Sequence, residues 1–162
     1  MDSATQLIER QTMESIASLQ IPMQNQMLLV PTVTVAEMVP YSQPQAVAGA
    51  PEWLLGSFTW RNTEVPLLAF EVLNGAPAPV PGETSRIAVF NNTGVSDELP
   101  FIALLTSGIP RLLRIVEGDL QLLAEGEPGS VARVLVGFED NPMIIPDLTV
   151  LEQRYIDWRN GY

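Results

Sequence analysis

In GFEDNPM, Gly137–Met143, two carboxylates stand side by side at Glu139 and Asp140. Such a pair could bind an oxygen-liganded metal or divide acid and base work between its members. The same residues, followed by Asn141-Pro142, also read as a strand leaving the core through a turn, because Asp, Asn and Pro each favour turns. In TSGIPR, Ser107 precedes Gly108, yet the chain holds no His and no Lys to activate that serine, so it reads as a turn. There is no Cys either, and all eight basic residues are Arg. Ser-His and Cys-His nucleophiles and the usual structural zinc sites are therefore excluded. The absence of Lys also removes the standard phosphate-binding P-loop and Schiff-base chemistry. An enzyme written in this alphabet would be a carboxylate-dependent hydrolase using Glu139 and Asp140. The expectation is instead no enzyme, no cofactor and no metal.

Two further charge features bear on contact rather than catalysis. Glu117, Asp119, Glu125 and Glu127 form an acidic rim, readable as a solvated strand edge that resists aggregation or as a patch for a basic partner. The stretch WLLGSFTWRNTEVPLLAFEVLNG, Trp53–Gly75, carries a single positive charge, Arg61, directly after Trp60. Arginine at a hairpin end often lies on an aromatic neighbour. Arginine is also enriched at interface hot spots, where packing holds its planar fork.

These residues need elements to place them. Ser3 caps a short helix expected over residues 3–12. From Ser15, Ala17, Leu19 and Ile21 alternate with polar residues, Pro22–Gln26 turns, and Met27–Val30 forms a second strand. Thr32–Met38 fits a strand or a helical turn and ends at Val39-Pro40. Pro40–Pro51 reads as a long loop. Trp53–Arg61 and Glu64–Phe70 are strands around Asn62-Thr63, the second running on through Leu73 to Asn74-Gly75. The Pro-rich segment 75–83 reads as a loop between two halves. Arg86–Asn91, Leu99–Thr106, Arg111–Ile115, Leu120–Ala124, Val131–Glu139 and Met143–Ile145 read as short strands of small barrels or a sandwich. Pro146–Trp158 is helical, with Leu148, Leu151, Tyr155 and Trp158 on one stripe.

The 162 residues suit one domain, or two small subdomains sharing a core. A net charge of −11 and an isoelectric point near 4.2 argue against nucleic acid and anionic membranes as partners. The N-terminus has no basic region leading into an apolar one, and no run of about 18 apolar residues occurs. A soluble, cytoplasmic protein is expected.

Trp53-Leu54-Leu55-Gly56, Arg61, Val65-Pro66 and, upstream, Val35-Ala36-Glu37-Met38 resemble the motifs of the CheW-like family of chemotaxis coupling proteins. The order of later strands, ending in IIPDLTVLEQ, is also similar, and the resemblance covers roughly residues 13–157. Two positions depart from the family pattern: Asn62 replaces the glycine after the arginine, and Ala69 replaces a common acidic residue. The chain is thus similar to the accessory CheW-like proteins of type IV pilus chemosensory systems. The resemblance implies a mostly β fold, with two SH3-like five-stranded β-barrel subdomains around a shared hydrophobic core, short helices and a C-terminal helix. Residues 13–162 would form this single domain, with 1–12 as an N-terminal extension. It further implies a non-catalytic adaptor joining a chemoreceptor cytoplasmic domain to the regulatory domain of a CheA-type histidine kinase. Val35, Glu37, Gly56 and Arg61 would lie near a receptor-facing groove, with Val65 opening the next strand and counted among the partner-binding residues. Besides the hydrolase, a small acidic ligand-binding β-barrel stands as an alternative, and it would require a deep cavity.

Overall fold

The computed structural model describes residues 14–161, so the expected helix over 3–12, the N-terminal extension and Tyr162 lie outside it. Eleven strands and two helices follow one another in the described chain. In order they are β1 (Ser15–Met23), β2 (Gln26–Pro31), a 3-10 turn (Thr32–Thr34), β3 (Val35–Pro40), β4 (Leu54–Trp60), β5 (Thr63–Leu68) and α1 (Phe70–Leu73). Then come β6 (Arg86–Asn91), β7 (Phe101–Thr106), β8 (Arg111–Val116), β9 (Gln121–Glu125), β10 (Ala132–Phe138), β11 (Asn141–Pro146) and α2 (Leu148–Arg159). The ambiguous Thr32–Met38 divides into a 3-10 turn over Thr32–Thr34 and a strand from Val35. The alternating Thr-Val residues thus form the helical turn, and Ala36-Glu37-Met38, where the sequence tolerates a helical turn, is strand. The extension of β5 to Leu73 is corrected: the strand ends at Leu68, and Phe70 and Glu71 are buried in a single helical turn.

Two sheets form, ordered β8-β1-β2-β11-β10-β9 and β3-β6-β7-β5-β4. They share one plan. In the first, the β10–β11 hairpin joins β2 in parallel, and β2 is followed by antiparallel β1 and β8. In the second, the β4–β5 hairpin joins β7 in parallel, and β7 is followed by antiparallel β6 and β3. Strand β9 is extra, so the sheets hold six and five strands rather than five each. The chain leaves the six-stranded sheet after β2 and returns at β8. The Pro-rich segment 75–83 therefore joins α1 to β6, within the connections of the five-stranded sheet, and does not separate the halves.

Alternation along the inner strands explains how two sheets fill three apolar clusters. On β6, Ala88 and Phe90 enter a cluster shared by both sheets, while Ile87 and Val89 enter one private to the five-stranded sheet. On β7, Ile102 and Leu104 face the shared cluster, and Ala103 and Leu105 the private one. Strand β2 contributes Leu28 and Val30 to the shared cluster and Leu29 to a third, within the six-stranded sheet. Strands buried on both faces need continuous apolar runs, which is what LLV and IAVF supply. The shared hydrophobic core is thus real, and α2 closes it with Leu151 and Ile156.

Two buried glutamates tie the sheets to each other reciprocally. Glu71 on α1, which follows a strand of the five-stranded sheet, accepts the Gln24 backbone N–H at 2.9 Å from the β1–β2 turn of the other sheet. Glu152 on α2, which follows the six-stranded sheet, accepts the Thr93 backbone N–H at 3.0 Å from the β6–β7 connection. Gln24 reaches back, its side-chain oxygen accepting from Val80 N at 2.9 Å.

Glu71 is 1 % exposed, and its second oxygen, Oε1, has no hydrogen-bond partner. Burial raises its carboxyl above the ordinary 4.5, only partly offset by backbone hydrogen bonds to its charge. The folded state therefore holds the proton to higher pH than the unfolded chain. This group's contribution to stability is largest in acid and is lost as pH rises through the raised value. Glu71→Gln is expected to remove that slope, so the gap between variant and wild-type urea midpoints should change between mildly acidic and neutral pH. Parallel pH curves would contradict this assignment.

Candidate functional site

The β4–β5 hairpin turns on two residues, Arg61 and Asn62, with φ of +47° and +61° between the paired Trp60 and Thr63. Positive φ at both positions is the signature of the turn whose twist matches its strands, and Asn tolerates it without a glycine. The turn thus sits one residue earlier than the sequence reading placed it, which puts Arg61 at the tip. Its side chain is 68 % exposed.

Three side chains converge there. Glu37 Oε1 accepts the Trp60 indole N–H at 2.9 Å and meets Arg61 Nη2 at 3.3 Å. The Arg61 guanidinium lies 4.6 Å from the centre of the Trp60 ring. Trp60 is buried and meets Phe101 edge to face at 4.8 Å. Glu37 belongs to β3 and Trp60 to β4, the two outer strands of the five-stranded sheet, so that sheet curls until its edges touch through side chains. An irregularity in β3 between Val35 and Glu37 breaks strict alternation. It lets Val35 and Met38 both pack on the shared cluster while Ala36 and Val39 pack on the private one.

The other expected site residues fall into different environments. Val35 is half-buried against the shared core and pairs with Phe90. Gly56 is buried under the β3–β4 loop, where Gln45 and Ser57 exchange backbone hydrogen bonds at 2.8 and 2.9 Å. Its φ is +147°, and a Cβ there would lie 2.5 Å from the Gln45 carbonyl oxygen and 2.9 Å from Pro44 Cβ. Val65 is fully buried in the private cluster, because the alternation of β5 turns it inward, away from the exposed tip that carries Arg61. Trp60 is the member that the sequence reading passed over as a contact residue. The signal was its indole N–H, a donor that a nearly buried tryptophan must satisfy.

Glu139 and Asp140 occupy another tight turn, with φ of +49° and +65°, and both are exposed. They line an open surface depression on a solvated turn, and among the described residues no group of three or more carboxylates that could hold a metal ion forms there. The two depressions along β8–β11 open to the surface, and three apolar clusters fill the described interior. Among the described residues, no helix is long and apolar enough to cross a membrane.

The CheW-like domain model matches residues 18–154. No curated protein matches the chain by sequence. Among solved structures, the fold is similar to the scaffolding protein TtCheW from Thermoanaerobacter tengcongensis, with a TM-score of 0.72 and 15 % identity. That similarity covers 85 % of this chain and 88 % of the other.

Proposed function

The chain belongs to the CheW-like domain family, and on that premise we propose that it is the adaptor between chemoreceptor cytoplasmic tips and a CheA-type histidine kinase. Proteins of this family are non-catalytic scaffolds of chemotaxis signalling. The carrying observation is the match over 18–154, which includes both β3 and the β4–β5 hairpin. The receptor-facing groove in this reading uses Val35, Glu37 and Arg61, with Gly56 shaping the loop beside them. Each sheet then acts as a small SH3-like barrel. In support, the five-stranded sheet brings its edges together at Glu37 and Trp60, and each sheet encloses a private apolar cluster. A cytoplasmic location follows from such partners, and a type IV pilus chemosensory system is the setting we favour.

An exposed ion pair contributes little to folding, because solvent screens it. Arg61→Ala is therefore expected to leave the thermal melt within about 2 °C of wild type. At an interface the same truncation removes a planar cation already held by packing, so binding to a purified chemoreceptor cytoplasmic fragment should weaken about tenfold or more by titration calorimetry. Equal affinity of the two proteins would refute the groove assignment. A separate titration with the kinase regulatory domain tests the other half of the proposal.

A further inference from the structure

The geometry points to Trp60 as a positioning residue that sets how Arg61 is presented to a partner, an inference resting on the reading that Arg61 faces the receptor. A lone arginine at a hairpin tip has several rotatable bonds, and ordering it on binding would cost conformational entropy. Here Trp60 restrains it in two ways at once. The indole face lies under the guanidinium at 4.6 Å. The indole N–H holds Glu37 Oε1 at 2.9 Å, and that same oxygen meets Arg61 Nη2.

The restraint is anchored below, since Trp60 is buried and its ring is locked edge-on by Phe101. It is also incomplete. Glu37 meets the guanidinium through one nitrogen at a long 3.3 Å, so most of the five N–H donors of the fork remain available at the exposed tip. The turn adds its own constraint, because Arg61 and Asn62 are held at positive φ between the paired Trp60 and Thr63, which fixes the backbone that carries the side chain. Trp60 thus supplies both a platform and, through Glu37, a loose brace. The ligand chemistry this suits is a carboxylate able to take the fork with two bonds, displacing the single bond to Glu37.

Two measurements test it, and they fail separately. Side-chain nitrogen NMR of Arg61 in the free protein reads rotation about its Nε–Cζ bond, which a purely structural role of Trp60 would not alter. Trp60→Phe keeps a ring for the core and removes the indole donor; Trp60→Leu removes both. Slowed Arg61 rotation in wild type, faster in Trp60→Phe and fastest in Trp60→Leu, is the expected series. Affinity for a chemoreceptor cytoplasmic fragment should fall about three- to tenfold in Trp60→Phe, and by less than that when Arg61 is already alanine. Unchanged Arg61 rotation in folded Trp60→Leu overturns the positioning role, whatever the binding data. Altered rotation with no effect of Arg61→Ala on affinity leaves the positioning intact and removes the receptor groove instead. If Trp60→Leu does not fold, Trp60→Phe with Glu37→Ala decides by the same rotation readout, and unchanged rotation in both overturns the role.

Discussion

Glu152→Ala is expected to lower stability by about 2–4 kcal/mol, because it removes a fully buried side chain beside the shared core and takes the charged acceptor from the Thr93 N–H. Both carboxylate oxygens of Glu152 lie 3.0 Å from Thr93 N, and the residue is 0 % exposed. Alanine offers Thr93 no replacement acceptor, and it leaves empty the space that the buried Glu152 side chain fills next to Leu151 and Ile156 of the shared cluster. For a chain of this size the melting temperature should fall by about 10 °C. Glu152→Gln keeps one acceptor oxygen and should lose less than half as much. Glu98→Ala is the matched control: Glu98 pairs with Arg159 at 3.3 Å, but its side chain is 83 % exposed, so its removal should go almost unnoticed. Calorimetry on the three variants separates the cases. A Glu152→Ala melt indistinguishable from that of Glu98→Ala would mean that the tie between α2 and the β6–β7 connection carries no stability.

That tie shows where the sequence stops being legible. Strand positions could be read because alternation and turn formers are local: IAVF, FIALLT and the hairpin around Gln24-Asn25 announce themselves. Helix α2 could be read from its apolar stripe, though it begins at Leu148 and not at Pro146, with Asp147 as the cap whose side chain accepts the Val150 N–H at 3.2 Å. The helical turn at Phe70–Leu73 could not, since four residues are too few to set a period and its one polar residue, Glu71, is buried with Phe70. Nothing in the sequence marks Glu71 or Glu152 as buried. Their partners are backbone N–H groups of residues 47 and 59 positions away, and backbone donors carry no side-chain signature.

The pairing of halves was hidden in a related way. The Pro-rich segment is the most visible break in the chain, yet it is only a loop between α1 and β6. What divides the protein is the choice of strand partner, with β2 taking β11 and β5 taking β7. Parallel joints of this kind are fixed by long-range packing of both strand faces, not by any neighbouring residue. Arg61 lies at the opposite extreme. Its turn, its aromatic platform and its exposure all arise within three residues, so its prominence in the sequence carried over to the fold.

Gly56 was grouped with Arg61 by resemblance, but the structure gives the two residues different work, and one substitution tells them apart. A methyl group at Gly56 meets the Gln45 carbonyl oxygen at 2.5 Å and Pro44 Cβ at 2.9 Å, distances that require backbone to move. A φ of +147° is also one that a residue with a Cβ adopts at a cost. Relief would come from lifting the β3–β4 loop off β4, breaking the two hydrogen bonds between Gln45 and Ser57. Gly56→Ala should therefore destabilise the fold by about 2–4 kcal/mol, with the melt lowered by about 10 °C. Amide exchange should rise first at Gln45 and Ser57. Receptor affinity should fall as well, in parallel with the lifted loop, because the loop borders the site. Arg61→Ala gives the converse pattern of lost affinity and unchanged exchange. A folded Gly56→Ala protein with wild-type melting and wild-type exchange at Gln45 would show that the loop is free to yield, and would return Gly56 to the list of direct contacts.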